Sequence, residues 1–155
     1  RLIRAIRIAT ELGCTIETQT FSAIQKLAPL ATQLSVDRVR NELMKMMSSQ
    51  YSADGVMLLR NSKLLAEILP EVEKCFGVPQ VSPKRHHIFD VGTHLVQSLK
   101  HCPSQDPVIR LATLLHDIGK PVVFQKNDQN GLITFYNHEV VGASIVKNIA
   151  YRLNF

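Results

Sequence analysis

Apolar residues recur every three or four positions through the first fifty residues, which predicts a series of short amphipathic helices. In the first of these, residues 1–12, the apolar positions are Leu2, Ala5, Ile6, Ala9 and Leu12. Gly13 can end this helix, because glycine readily takes the left-handed conformation found at helix C-termini. Three arginines, Arg1, Arg4 and Arg7, step round the opposite side.

Further along, polar residues stand where new helices can begin. Thr20 and Ser35 are placed to cap the second and third helices, since a hydroxyl oxygen accepts hydrogen bonds from the free amides at a helix start. Pro29 disturbs the second helix, and Pro70 ends a later helical stretch at 63–69. The pattern therefore predicts four or five short helices.

Residues 78–84 contain two prolines and no helical period. We therefore predict a linker there, between a helical neck/body unit at 1–77 and a second unit at 85–155. The second unit begins with a predicted helix at 88–101. Asp106-Pro107 opens another helix, because proline fits the first helical turn and Asp can cap it.

Two short apolar runs, 122–125 and 132–136, flank a polar stretch that contains Asn130-Gly131. This pattern predicts a small β-hairpin or a long loop, since Asn-Gly favours tight turns. Asn137 can cap a final helix. The predicted fold class is all-α, with short helices followed by a helical bundle that contains one hairpin or long loop.

Composition limits the cellular setting. The 155 residues are 45% hydrophobic, an ordinary globular value, and contain no apolar run of about 20 residues that could span a bilayer. Cys14, Cys75 and Cys102 are odd in number and widely scattered, which argues against a disulfide framework and against a thiolate zinc site. We therefore expect a cytoplasmic protein without a membrane partner.

The net charge of +5 is unevenly distributed. Residues 1–50 hold seven Lys/Arg against four Asp/Glu, whereas residues 101–155 hold five against four. A basic first segment favours a polyanionic partner such as RNA, and a solvated basic face is the alternative. We predict that Arg1, Arg4 and Arg7 share one exposed face that serves nucleotide or RNA rather than internal salt bridges.

The sharpest chemical feature is His116-Asp117, which directly follows an apolar run. An ionisable pair at that position is costly unless something such as a metal ion compensates it. His94, on the preceding predicted helix, can lie alongside if the two helices are antiparallel. Unwinding at Gly119 would let His116 and Asp117 converge on one ion, and His138 is a fourth candidate ligand. Imidazole and carboxylate suit a divalent Mg, Mn, Ni, Co, Fe or Zn ion, so the metal stays open.

The remaining histidines, His86, His87 and His101, lack a neighbour with a chemical role. We interpret them as hydrogen-bonded core or surface residues rather than ligands.

One His followed by a His-Asp pair resembles the HD superfamily of metal-dependent phosphohydrolases. Three residues match the first ligands of that pattern, namely His94, His116 and Asp117. The resemblance implies a final Asp ligand, which we expect beyond Phe155 because Asp128 follows the pair too closely. The HD domain would then be truncated at its C-terminus. The resemblance also implies that Lys120 contacts phosphate and acts in catalysis by neutralising charge.

Motifs along almost the whole chain resemble bacterial tRNA nucleotidyltransferases (CCA-adding enzymes) and related poly(A) polymerases. The residues that carry this resemblance are Arg1-Leu2-Ile3-Arg4-Ala5-Ile6-Arg7-Ile8-Ala9, Ser35-Val36-Asp37-Arg38-Val39-Arg40-Asn41-Glu42-Leu43, Leu69-Pro70-Glu71, His87 … Asp90-Val91 … His94, and Phe135-Tyr136 … His138-Glu139 … Gly142-Ala143. Asp37 stands where that family usually has Glu.

The resemblance implies a parent enzyme that transfers CMP and AMP, or AMP alone, from CTP and ATP to an RNA 3′ end, with tRNA as the main partner. It implies that Arg1 pairs with the incoming base, and that Arg4, Arg7, Arg38 and Arg40 belong to the RNA-binding surface. The Asp-x-Asp pair that such enzymes use for nucleotide transfer is absent from these 155 residues. We therefore do not expect this chain to add nucleotides by itself, and a homodimer is compatible with the resemblance.

Two alternatives stay open. The first is a stand-alone HD phosphatase or phosphodiesterase that acts on nucleotides, which a catalytic head before Arg1 would exclude. The second is a vestigial HD fold that serves as an RNA-binding or dimerising scaffold, which metal analysis would distinguish.

Overall fold

The computed structural model describes residues 1–80 and 88–155. These residues are mostly helical, with one two-stranded antiparallel sheet, so the predicted all-α class is confirmed. The elements of the first half are α1 (Leu2–Leu12), α2 (Thr18–Leu27), a 3₁₀ helix (Ala28–Gln33), α3 (Val36–Met47), α4 (Ser52–Asn61), α5 (Leu64–Ile68) and α6 (Pro70–Glu73). Those of the second half are α7 (Val91–Lys100), α8 (Pro107–Leu115), α9 (Lys120–Val123), β1 (Gln125–Lys126), β2 (Ile133–Thr134) and α10 (His138–Arg152).

Helix α1 packs against α3 and α4. It buries Ile3, Ile6 and Ala9, and it ends at Gly13, whose φ of 62° confirms the predicted stop. Leu12, which the sequence pattern assigned to the apolar face, is 71% exposed. At about 100° per residue, nine residues of helix place Leu12 on the opposite side from Ile3.

The start of α2 differs from the sequence prediction. The N-cap of α2 is Glu17, whose carboxylate accepts hydrogen bonds from the amides of Gln19 at 2.9 Å and Thr20 at 2.7 Å. A carboxylate is well placed there, because it also meets the positive end of the helix dipole. Thr20 therefore lies inside the helix. The helical stretch before Pro70 ends as predicted, since α5 ends at Ile68. Pro70 then begins α6 at the first helical position, where its missing N–H costs nothing.

Carboxylate caps also set the starts of α7 and α8. The Asp90 carboxylate accepts a hydrogen bond from the Thr93 amide at 2.6 Å, so α7 begins three residues later than predicted. The Asp106 carboxylate accepts from the Val108 amide at 2.8 Å, with Pro107 in the first turn as the sequence predicts. Both caps satisfy amides that have no partner within the helix.

The predicted hairpin is confirmed, although each strand is only two residues long. Gln125 pairs with Thr134 and Lys126 with Ile133. In the connecting turn, Gly131 has a φ of 67°, a conformation that suits glycine. The hairpin leads directly into α10, the longest helix in the described residues.

The two halves share one hydrophobic core. Helix α4 packs against α7, and α3 packs against α8. Arg110, a buried residue of α8, reinforces this junction by donating hydrogen bonds to the backbone oxygens of Ser104, Met47 and Ser49.

The predicted linker at 78–84 lies partly within 81–87, outside the described residues. Its first residues contact the second half, since the Val91 amide donates to the Val78 carbonyl at 2.9 Å. The division into units at 1–77 and 85–155 stays a prediction. Across residues 1–80 and 88–155, no helix is long and apolar enough to cross a membrane.

Candidate metal centre

Helices α7 and α8 pack side by side, which brings His94 of α7 next to the end of α8. Helix α8 ends at Leu115, so His116 is its C-cap and Asp117 lies in the turn that follows. The helix thus ends earlier than the unwinding predicted at Gly119. Because the backbone leaves the helix here, two adjacent side chains can face the same point, which a continuous helix would prevent.

Three ligand atoms converge at this turn, as the sequence predicts. The Nε2 atoms of His94 and His116 are 3.3 Å apart. Asp117 Oδ2 lies 3.4 Å from His94 Nε2 and 3.2 Å from His116 Nε2. Such near-equal separations fit three ligands that share one ion at about 2.0–2.2 Å. Two imidazoles and one carboxylate are a donor set for a divalent transition metal, and they leave its identity open.

Hydrogen bonds fix the orientation of two imidazole rings. His116 Nδ1 lies 2.8 Å from the Thr113 carbonyl oxygen, and His138 Nδ1 lies 2.8 Å from the Phe135 carbonyl oxygen. A carbonyl oxygen only accepts, so each Nδ1 carries a proton, and in the neutral ring each Nε2 keeps its lone pair. The ring nitrogen that faces Asp117 is therefore the one able to bind a metal.

Asp117 is buried and anionic. Burial raises the pKa of the Asp117 carboxyl, but hydrogen bonds and charge from His116 and Lys120 outweigh it and hold that pKa well below its usual range. The same contact acts in reverse on the partner, since the Asp117 hydrogen bond raises the pKa of His116 despite desolvation. A carboxylate that stays ionised to low pH is ready to bind a cation.

Lys120 sits beside Asp117, but its side chain is largely enclosed. Its Nζ is 2.6 Å from Asp117 Oδ2 and donates a hydrogen bond of 2.7 Å to Gln80 Oε1. Two of the three ammonium donors face Asp117 and Gln80, and the predicted phosphate contact stays a prediction. Sequence reasoning missed Gln80 altogether, because it falls in the predicted linker and belongs to no motif or periodic pattern.

His138 faces the other carboxylate oxygen of Asp117. Its Nε2 is 3.4 Å from Asp117 Oδ1, whereas His94 and His116 face Oδ2. Its Nδ1 also lies 3.3 Å from a carboxylate oxygen of Glu139. His138 thus contacts the site without joining the compact three-ligand group. Its predicted role as a fourth ligand, or as a ligand of a second ion, stays a prediction.

Glycine is required at position 119 because α10 comes close to the turn that carries His116 and Asp117, which we call the ligand turn. A Cβ atom at Gly119 would lie 2.1 Å from the His138 carbonyl oxygen and 2.6 Å from the Gly142 amide nitrogen, both backbone atoms. A Cβ atom at Gly142 would be far less crowded, since its nearest neighbour would lie 3.4 Å away. The absence of a side chain at Gly119 therefore lets α10 place His138 beside Asp117.

The other histidines and Asp128 are outside this group. His101 is exposed, and its Nδ1 is 2.8 Å from the Gln97 carbonyl oxygen, as expected of a hydrogen-bonded surface residue. His86 and His87 lie outside the described residues. Asp128 lies in the exposed turn between the two strands.

A second candidate site is a basic pocket of about 280 Å³ at the start of α1. Its charged lining residues are Arg1, Arg4, Arg38 and Glu42. All three of these arginines are exposed at the surface. The structure therefore brings together the residue predicted to bind nucleotide, Arg1, and two of those predicted to bind RNA.

The other two predicted RNA-binding arginines are engaged within the protein. Arg7 forms salt bridges with Glu11 and, at 2.6 Å, with Glu42, and only 12% of its side chain is exposed. The prediction that Arg7 shares an open face free of salt bridges is wrong, because the acidic partner Glu42 comes from α3 and is remote in sequence. Arg40 is bonded to Asp37 at 3.1 Å and to the Asn154 carbonyl oxygen.

Comparison with known families matches both halves of the chain. Residues 13–76 match the family described as "Probable RNA and SrmB-binding site of polymerase A", and residues 84–155 match the HD domain. The chain is thus of the class that joins an RNA-binding region of the polymerase A type to an HD domain.

Individual relatives define the family more closely. The chain is 36% identical to the A-adding tRNA nucleotidyltransferase of Deinococcus radiodurans over 99% of its length. It is 30% identical to the CC-adding tRNA nucleotidyltransferase of Thermus thermophilus over 100%, and 29% identical to the multifunctional CCA protein of Hahella chejuensis over 99%. It belongs to the tRNA nucleotidyltransferase/poly(A) polymerase family, and it spans 37% of the length of these three relatives.

Proposed function

We propose that the protein containing this chain adds CMP and AMP, or AMP alone, from CTP and ATP to the 3′ end of tRNA. The names of the relatives, which match along almost the whole length of this chain, support this proposal. In this role, Arg1 would pair with the incoming base, because a planar guanidinium donates two parallel hydrogen bonds to a base edge. Arg4 and Arg38, which line the same pocket, would neutralise phosphate.

We further propose that the HD half is a metal-dependent phosphohydrolase site. The observation that carries this proposal is the triangle of His94 Nε2, His116 Nε2 and Asp117 Oδ2, with sides of 3.2 to 3.4 Å. A bound divalent ion would supply Lewis-acid activation of water and of a phosphoryl oxygen. The two imidazoles and the carboxylate would hold that ion.

The residues around the triangle suit this chemistry. About 41% of the His116 side chain is exposed, so a phosphoester can approach from solvent. Lys120 keeps Asp117 ionised through the 2.6 Å contact, and we retain charge neutralisation as its catalytic role. His138 is placed to orient the second carboxylate oxygen or to bind a further ion.

The test is a hydrolysis assay on the intact protein with small phosphoesters, such as 2′,3′-cyclic nucleotides, and added Mn²⁺, Ni²⁺, Co²⁺ or Mg²⁺. We expect metal-dependent hydrolysis that His116→Ala and Asp117→Ala abolish, with nucleotide addition largely retained because it uses separate residues. His101→Ala is the matched control, since that exposed histidine lies outside the site, and it should retain hydrolysis.

Two results would contradict the phosphohydrolase proposal. One is wild-type protein without metal-dependent hydrolysis. The other is equal hydrolysis by wild type and Asp117→Ala. Either result would favour the alternative in which the HD fold is a scaffold for RNA binding or dimerisation.

A further inference from the structure

Gln80 is buried at the metal centre although it comes from the segment that joins the two halves. Gln80 as a whole residue is 1% exposed, and the values for Lys120 and Asp117 are 8% and 6%. Gln80 Oε1 accepts a hydrogen bond of 2.7 Å from Lys120 Nζ. A lysine ammonium only donates, so the amide must present its oxygen to Lys120 and its nitrogen to the other side. That nitrogen is 3.4 Å from the Phe89 carbonyl oxygen, which fits this orientation.

Lys120 therefore divides its ammonium between two oxygen atoms. One is Asp117 Oδ2 at 2.6 Å, and the other is Gln80 Oε1 at 2.7 Å. The ring centroid of Phe135 is 5.3 Å from the same Nζ, so an apolar face closes another side. A buried ammonium needs polar partners in place of water, and Gln80 supplies one of them.

The Asp117 oxygen that receives Lys120 is also the oxygen that faces His94 and His116. A cation in the triangle and the Lys120 ammonium would thus share Oδ2. Two positive charges on one oxygen repel each other, strongly so where water is excluded. The more closely Lys120 is held by Asp117, the weaker the attraction of the site for a cation.

From these contacts we infer that Gln80 is a positioning residue of the metal centre: by holding the Lys120 ammonium, it sets the affinity of the triangle for a divalent cation. The inference rests on the metal site proposed above. Replacing a residue that hydrogen-bonds a metal ligand commonly changes metal affinity about 10- to 100-fold, and Gln80, which acts on Asp117 through Lys120, should fall at the lower end of that range.

Two substitutions at Gln80 should change metal affinity in opposite directions. Gln80→Met keeps the length of the side chain but removes the oxygen, so Lys120 rests on Asp117 alone and the affinity falls. Gln80→Glu adds a carboxylate that draws the ammonium away from Asp117, so the affinity rises. A merely structural role for Gln80 would weaken binding in both variants.

The experiment is a calorimetric titration of the intact protein with MnCl₂ or NiCl₂, together with thermal unfolding of the metal-free variants to confirm that they fold. We expect the dissociation constant to rise about tenfold in Gln80→Met and to fall about tenfold in Gln80→Glu. The matched controls are Gln125→Met and Gln125→Glu on exposed strand β1, which should leave it unchanged.

A second comparison tests whether Gln80 acts through Lys120. In a Lys120→Met background, Gln80→Met should no longer change the dissociation constant, because the two effects would not be additive. An equal loss of affinity in both backgrounds would overturn the inference, as would weaker or unchanged binding in Gln80→Glu. If Gln80→Met does not fold, Gln80→Glu against Gln125→Glu decides by the same criterion.

Discussion

At the scale of single residues, the same side-chain type serves two purposes in α1. Arg4 is exposed and lines the basic pocket, whereas Arg7 lies between Glu11 and Glu42. The hydrogen bond with Glu11 raises the pKa of Arg7, and its bond with Glu42 adds to this. The periodic pattern of arginines predicts one common face, but a partner from another helix can only be seen in the fold.

This difference predicts separable effects for Arg4→Ala and Arg7→Ala. Arg7→Ala should lower the free energy of unfolding by about 1–2 kcal/mol, because it leaves Glu42 without its ion pair. Arg4→Ala should change it by less than about 0.5 kcal/mol, as expected of an exposed residue. Urea denaturation measures both changes.

For RNA binding, Arg4→Ala should have the larger effect and Arg7→Ala the smaller one. Arg4→Ala should weaken tRNA binding and lower the slope of log affinity against log salt by about 0.7–0.9, the value for one phosphate contact. Filter binding at several salt concentrations measures this. An unchanged slope in Arg4→Ala, or a larger loss in Arg7→Ala, would contradict the assignment of Arg4 to the RNA surface.

At the scale of elements, the geometry of the site depends on where two helices begin. Helix α7 begins at the Asp90 cap, and the start of α10 packs against the ligand turn at Gly119. His94 lies one turn into α7, and its amide donates to the Asp90 carbonyl at 2.9 Å. His138 is the first residue of α10, and its carbonyl oxygen lies against Gly119. The starts of these two helices therefore place two of the four histidine and aspartate side chains around the site.

Gly119→Ala should disturb the site much more than Gly142→Ala. The added methyl group at 119 would collide with backbone atoms, which cannot turn aside as a side chain can, so we expect a loss of stability of about 1–3 kcal/mol. At Gly142 the neighbours lie at ordinary contact distance, and alanine favours the helix. Thermal unfolding compares the two variants, and equal melting temperatures would show that the close contact is absent.

The Asp90 cap should give stability that depends on pH. Burial raises the pKa of Asp90, but hydrogen bonds from the Thr93 and Gly77 amides lower it by a larger amount. The pKa of Asp90 is therefore below its ordinary value. The charged cap therefore stabilises the protein above about pH 4, and this contribution is lost as the pH falls through the lower folded-state pKa.

Asp90→Asn keeps an oxygen acceptor but removes the charge, and Asp90→Ala removes both. At pH 7 we expect Asp90→Ala to cost about 1 kcal/mol and Asp90→Asn to cost less. The stability difference between wild type and Asp90→Asn should shrink as the pH falls below about 4. Urea denaturation from pH 7 to pH 2 measures it, and a difference that stays constant would refute the charged cap.

At the scale of the whole molecule, the two halves are joined by a common core and by Arg110. Its guanidinium donates to backbone oxygens at the end of α3 and in the turn before α4. A buried arginine suits this role because its planar fork can serve several carbonyl groups at once. The proposed metal site and the basic pocket thus belong to one packed body.

Arg110→Met should therefore loosen the junction between the halves. It would remove the arginine donor from the buried Met47 carbonyl oxygen, at a cost of about 1–3 kcal/mol. Arg38→Met, at an exposed position, is the matched control and should cost less than about 0.5 kcal/mol. Hydrogen–deuterium exchange of α3 and α8 measures the change, and equal exchange in the two variants would contradict this role for Arg110.

The sequence was most informative where a signal is local. Helical spacing predicted most helices, Asn130-Gly131 predicted the hairpin, and His94 with His116-Asp117 predicted the three-ligand group. Contacts between remote segments gave no such signal. Three features depend on residues far apart in the chain: the ion pair of Arg7 with Glu42, the burial of Gln80 and the packing of α3 on α8. Periodicity and motifs give no information about such contacts.

The most direct test of the metal site is anomalous scattering from a crystal of the intact protein grown with saturating MnCl₂. We expect a peak about 2.0–2.3 Å from His94 Nε2, His116 Nε2 and Asp117 Oδ2, and its loss in Asp117→Ala. A crystal without a peak between these three atoms, or with the peak retained in Asp117→Ala, would contradict the assignment of this turn as a metal centre.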